Sequence, residues 1–239
     1  MKHFLIFNNV DTRDLGIHIE ELPIVSRAER MVEFVEVQGR NGYLVNDFNV
    51  YNPIDYDVTF KIKDVNKINQ IKKVFNGRGI LKLSNQQDVY YKATIINQID
   101  FTRVIRTYQE CLISFKLQPF GYLIDNDSMT ITSDDTIENV GNVYSQPTIK
   151  AFVNRTQANN GNGNIYVNEE TIALKDVDSG ELVIDCELEE CYRLGNDGLY
   201  VNMNSHMIGE FVCLEVGENT ISFDGCIVKL EITPNFRCL

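Results

Sequence analysis

The sequence predicts a mainly β protein built in two parts: a β-sandwich or barrel-like domain with one α-helix over 1–122, then a jelly-roll or β-sandwich domain over 128–239. Three observations carry this. Strict two-residue alternation recurs in the first half, a single helical period interrupts it, and the second half shows only short β-rich runs separated by turn dipeptides.

In chain order, Met31 to Gln38 is rich in β-branched and aromatic residues and reads as a strand. Glu29 to Gly42 followed by Tyr43 to Tyr51 reads as a hairpin around Asn41-Gly42. Its turn residues Gly39, Arg40, Asn41 and Gly42 are candidates for a contact between subunits; an internal hairpin is the equal alternative. Tyr56, Val58, Phe60 and Ile62 alternate with Asp57, Thr59, Lys61 and Lys63, which puts apolar groups on one sheet face and polar groups on the other. Asp64 is a candidate N-cap for a helix of about three turns, with Val65, Ile68, Ile71 and Phe75 on one stripe and Asn76-Gly77 ending it. Two further strands follow, Asp88 to Asn97 and the alternating run Cys111, Ile113, Phe115, Leu117. Pro119 and Gly121 then break the pattern, and the domain boundary falls within 118–128.

Beyond it, strands are expected at Thr148 to Val153, Asn164 to Asn168, Thr171 to Leu174, Glu181 to Cys186, Thr220 to Phe223 and Cys226 to Ile232. The Asn- and Gly-rich stretch Ala158 to Asn164 reads as a loop, and Asp224-Gly225 as a hairpin turn between the last two strands. Even spacing of this kind is the mark of a sandwich.

Charge is divided unequally. Residues 1–120 hold 16 Lys and Arg against 14 Asp and Glu, and the remainder hold 6 against 20, so the net charge of -12 resides in the second half. An acidic half repels phosphate backbones and the near-neutral half has no basic cluster, which argues against gripping nucleic acid. No run approaches the ~18 apolar residues of a membrane span, and Phe4 to Phe7 is too short for a secretory core, so synthesis in a cytosol is expected. Six cysteines without a CxxC pair point to buried thiols rather than zinc or a disulfide scaffold, and the sequons at Asn126 and Asn154 carry no meaning without a secretory route.

Motifs for catalysis are missing. The imidazoles His3, His18 and His206 lack any nucleophile or metal-site setting, and Gly161-Asn-Gly163 lacks the third glycine of a dinucleotide loop. Asp176, Asp178 and Glu187 fit three positions of a calcium loop, but Gly180 and Glu181 stand where a ligand and a glycine belong, so a turn is expected. The run Glu187, Glu189, Glu190 reads as a solvated strand edge rather than half of a glycosidase pair. No enzyme activity and no cofactor are expected. Tyr166, Tyr192 and Tyr200 are candidates to stack on a sugar in place of the absent tryptophan.

The N-terminal stretch Phe7-Asn-Asn-Val-Asp-Thr-Arg-Asp-Leu-Gly16-Ile resembles the opening of distal tail proteins of phages and prophages with long non-contractile tails that infect Gram-positive hosts. Gln38 to Gly42 is similar to that family's Gly-Arg-x-Gly turn, and Tyr51-Asn-Pro53, Gly77-Arg-Gly79, Tyr91-Lys-Ala and Phe115 to Phe120 follow in its order. In the second half, Gly141 to Ile149, Leu182 to Cys186, Gly217 to Ile221 and Ile232 to Arg237 look like its C-terminal domain. Asn52 stands where the family often has aspartate.

The resemblance implies a galectin-like C-terminal domain and a structural baseplate hub protein of the virion tail tip. N-terminal domains of six copies would form a homo-hexameric ring that joins the tail tube protein to a tail-associated hub or lysin protein. DNA would only pass through the ring channel, and the outer domains could hold a receptor-binding protein; no membrane is involved. The alternative from a different class is a carbohydrate-binding adhesion module that contacts the host cell wall through its C-terminal sandwich.

Overall fold

The computed structural model describes residues 3–97, 102–105, 108–156, 159–195 and 197–239. It divides into two compact units, 1–124 with the terminal Leu239, and 125–238.

The first unit is built from β1 (Leu5–Phe7), β2 (Val10–Asp11), β3 (Ile17–His18), β4 (Arg30–Glu36), β5 (Tyr43–Tyr51), β6 (Ile54–Ile62), α1 (Ile68–Val74), β7 (Arg78–Leu83), β8 (Gln86–Ile95), β9 (Thr102–Ile105) and β10 (Tyr108–Leu123). Its main sheet is antiparallel and curled, in the order β2-β1-β7-β8-β10-β6-β3, with β9 also beside β10. Alternation dictates which side faces in. Along β6, Ile54, Tyr56, Val58, Phe60 and Ile62 are buried, and Cys111, Ile113, Phe115 and Leu117 of β10 meet them across the ladder, Phe115 opposite Tyr56 and Cys111 opposite Phe60. At the centre, the Phe75 ring packs on Phe7 at 5.8 Å, Phe60 at 5.1 Å and Phe115 at 6.4 Å between centroids, edge-to-face and stacked geometries that aromatic quadrupoles favour.

The helix is shorter than the sequence stripe predicts. Val65–Lys67 is a 3-10 turn and only seven residues are α-helical. Asp64 still caps, but it caps that tight turn: its Oδ1 accepts the Asn66 N–H at 3.0 Å. Ile71 and Phe75 lie on the buried face, Ile68 is half-buried, and the side chain of Val65 falls outside the described residues. Gly77, at φ 73°, follows Asn76 as expected.

The second unit is a two-sheet antiparallel sandwich. One sheet runs β11 (Met129–Ile131), β21 (Ile227–Thr233), β13 (Thr148–Val153), β16 (Gly180–Asp185), β17 (Glu190–Leu194), β18 (Tyr200–Asn202). The other runs β12 (Asp135–Asn139), β20 (Gly217–Phe223), β14 (Gly163–Val167), β15 (Glu170–Leu174), β19 (Met207–Ile208). Ile149, Ala151, Leu182, Ile184, Leu230 and Ile232 of the first sheet and Ile137, Ile165, Ile172, Leu174 and Ile221 of the second fill the space between them. Two amides organise the buried polar positions. Asn219 donates to the Glu215, Gly217 and Ile137 carbonyls, and Asn139 donates to those of Val143 and Leu214.

Asp224-Gly225 does not make the expected hairpin, because β20 and β21 belong to different sheets. The turn carries the chain from one layer to the other. Asp224 lacks the positive φ that a type I′ turn requires, while Gly225 has φ 71° and a Cβ there would lie 2.4 Å from the Asn162 carbonyl oxygen. Asp224 is committed elsewhere, accepting from the Asn164 backbone N–H at 3.0 Å and the Tyr166 hydroxyl at 2.9 Å. In the stretch expected to be a loop, Asn159–Gly161 makes a tight turn with Asn160 at φ 52°, and β14 already begins at Gly163; Ala158 lies outside the described residues.

Candidate assembly surface and its relatives in fold

β4 and β5 form a two-stranded sheet of their own, with Phe34 opposite Val45 and Glu36 opposite Tyr43. The six residues Val37 to Gly42 close it. Gly39 and Gly42 adopt φ 84° and 79°, and the Arg40 N–H donates to the Val37 carbonyl at 3.1 Å. The four turn residues singled out from the sequence therefore sit together at the tip of this arm, and all are exposed.

The arm is held at its base. The Asn52 N–H donates to the Glu29 carbonyl at 2.8 Å, and the Tyr51 ring meets Phe120 edge-on at 5.6 Å. A bulge between Val32 and Arg30 places Asn49 at φ 56°, where Arg30 clips it: the guanidinium donates to the Asn49 Oδ1 at 2.8 Å and pairs with Asp47 at 2.8 Å. The Asn49 backbone N–H, then the Arg30 guanidinium, hold the Asp47 carboxyl below its ordinary range.

Along its length the arm exposes apolar groups on both faces. Phe34, Tyr43 and Val45 are 62%, 58% and 55% exposed on one face, and Val35 and Leu44 emerge on the other. An isolated two-stranded ribbon is marginal in water, and one with apolar groups on both faces and two unpaired edges is a surface waiting for cover. Re-covering one such half-exposed side chain stabilises by ~1 kcal/mol.

The candidate sugar-stacking tyrosines do not form one site. Tyr192 and Tyr200 meet on the six-stranded sheet, ring centroids 4.7 Å apart, whereas Tyr166 lies on the five-stranded sheet and its hydroxyl bonds to Asp224, which raises its pKa. Of the histidines, His3 and His18 belong to the first unit, and His206 in the second faces the Lys175 carbonyl through Nδ1 at 3.0 Å. Asp176 and Asp178 both grip the Arg155 guanidinium, at 2.6 and 2.8 Å. No group of three metal-ligating side chains occurs among the described residues, and no helix there is long and apolar enough to cross a membrane.

No family model and no curated relative matches the chain. Solved structures do. The fold, over both units, is similar to that of solved components of phage adsorption and baseplate assemblies. The SPP1 Dit protein, whose structure is described as a paradigm of the hub adsorption apparatus in phages infecting Gram-positive hosts, aligns at a TM-score of 0.73 with 10% identity. The alignment covers 97% of this chain and 98% of that one. A structure of the phage p2 baseplate in its activated conformation with Sr aligns at a TM-score of 0.59 with 9% identity, over 97% and 96% of the two chains. At such identities the likeness is one of fold.

Proposed function

We propose that this chain is a structural hub of a phage tail tip, in which first units of six copies close into a ring between the tail tube and a tail-associated hub protein. The arm carries this reading: an apolar ribbon with open edges suits a head-to-tail contact in which each copy covers the arm of the next, and such a contact closes into a ring when its rotation allows. The fold shared with Dit along 97% of the chain supports the same role. The six-fold number, the tube and hub partners and the virion location come from the sequence resemblance. The second units, bearing the acidic charge, would face solvent around the ring, where like-charge repulsion keeps them apart and a receptor-binding protein could dock. The protein's task in this reading is assembly rather than catalysis.

Native mass spectrometry with negative-stain microscopy tests it, on the protein alone and mixed with its tail partners. A closed ring for the parent chain, lost in a Phe34→Glu, Leu44→Glu variant that stays folded, is the expected result. A monomer in every mixture, or a ring indifferent to both substitutions, overturns it.

A further inference from the structure

Four Asn-Gly pairs occur in the chain: Asn41-Gly42, Asn76-Gly77, Asn160-Gly161 and Asn162-Gly163. In such a pair the glycine backbone nitrogen can attack the asparagine side-chain carbonyl carbon, because no Cβ shields it and the backbone turns freely. The attack needs an unengaged nitrogen and a main chain able to rotate into a ring, so a peptide held by its neighbours must first open locally. As dipeptides the four are equal; their surroundings are not.

Three are held. The Asn76 N–H donates to the Val74 carbonyl at 3.0 Å and the Gly77 carbonyl accepts the Ile95 N–H at 3.0 Å, which pins that pair at both ends. The Gly161 carbonyl accepts the Val177 N–H at 2.9 Å, and the backbones lie so close that a Cβ on Gly161 would stand 2.4 Å from the Val177 carbonyl oxygen. Asn162 is engaged twice, Oδ1 accepting the Asp176 N–H at 3.0 Å and the backbone carbonyl accepting the Cys226 N–H at 2.9 Å. Asn41-Gly42 differs on every count. Both residues are exposed at the arm tip, neither the Asn41 side-chain amide nor the Gly42 N–H has a partner among the described residues, and a Cβ on Gly42 would meet nothing within 4 Å.

We propose that Asn41 is a site of spontaneous conversion to isoaspartate and aspartate. The Gly42 nitrogen bonds to the Asn41 Cγ and gives up its proton, the Cγ–Nδ2 bond breaks, and ammonia leaves a cyclic imide behind. Water then opens the imide at either carbonyl. One opening restores the main chain with aspartate; the other gives isoaspartate, which carries a methylene in the main chain and lengthens the connection between β4 and β5. Either product sets a carboxylate beside Arg40, the one charged side chain in the turn Val37 to Gly42, so the tip loses its positive charge. The chemistry belongs to the free chain and does not rest on ring formation.

Timed incubation of the full chain in mildly alkaline heavy-oxygen water, followed by digestion and peptide mass spectrometry with electron-transfer fragmentation, tests it. Asn41 is expected to convert about tenfold faster than each of the other three asparagines, the factor that corresponds to about 1.4 kcal/mol of local opening. Its product should contain heavy oxygen and include isoaspartate. In urea the four rates should converge, which separates the effect of the fold from that of the dipeptide. Asn41→Gln, at an exposed tip, should remove the product. Any of the other three keeping pace with Asn41 in the native chain, a ranking unchanged in urea, or a product without isoaspartate overturns the proposal.

Discussion

Asn219 offers the sharpest test of how the second unit is held together. It is fully buried, and its amide works in both directions: Nδ2 donates to the carbonyls of Glu215 at 2.8 Å, Gly217 at 2.9 Å and Ile137 at 3.3 Å, while Oδ1 accepts from the Glu215 N–H at 2.8 Å and Asn168 Nδ2 at 2.9 Å. Asn219→Ala removes the acceptor for two donors and strips donors from three carbonyls. Leaving a buried donor unsatisfied costs ~1–3 kcal/mol, so the total is expected at ~3–4 kcal/mol. Asn219→Asp keeps the acceptor but sets a carboxyl against three carbonyl oxygens, which raises its folded pKa above the unfolded ~3.9. A raised folded pKa means the variant fares best below the unfolded value and loses stability as pH climbs toward the folded one. Urea denaturation, followed by tyrosine circular dichroism and by amide exchange in β12 and β20, reads both effects. A loss under ~1 kcal/mol for Asn219→Ala, or an Asn219→Asp penalty that is flat between pH 4 and 8, would refute the reasoning.

Burial pushes the thiols of Cys111 and Cys186 up to about 12 and that of Cys191 to about 11. Their contribution to stability is therefore complete below the unfolded ~8.5 and falls as pH rises beyond it. A thiol reagent should label these three slowly in the native protein and at once in urea, and the urea midpoint should drop above that pH. Arg13 donates to Asp11 at 2.6 Å and holds its pKa down, so Asp11→Asn should cost less than ~1 kcal/mol. That cost is present above the unfolded ~3.9, vanishes as pH falls through the lower folded value, and shrinks in high salt, as paired denaturation curves would record. Gly225→Ala forces a side chain into positive φ against the Asn162 carbonyl and should cost at least ~2 kcal/mol by thermal unfolding.

Strands with one buried face were legible in the sequence because period-two alternation is a direct consequence of the pleat; β6 and the middle of β10 follow it residue by residue. The helix was legible as a stripe but not in length, since a 3-10 turn and an α-turn place side chains too similarly over three residues to be told apart. Asp224-Gly225 misled because local turn chemistry does not say whether the flanking strands pair or part into separate layers. The arm was legible as a hairpin, yet its exposure on both faces was not. Tyr43, Leu44 and Val45 in succession look like a buried strand, and only the fold shows that all three are exposed.

Ring assembly requires the arm to lie against a second copy of the chain. A photo-crosslinking amino acid placed at Phe34, irradiated in the presence of the tail partners and mapped by peptide mass spectrometry, addresses this most directly. Covalent links from the arm of one copy to the first unit of another are the expected result; links confined to the same copy, or none to a second copy, would contradict assembly through the arm.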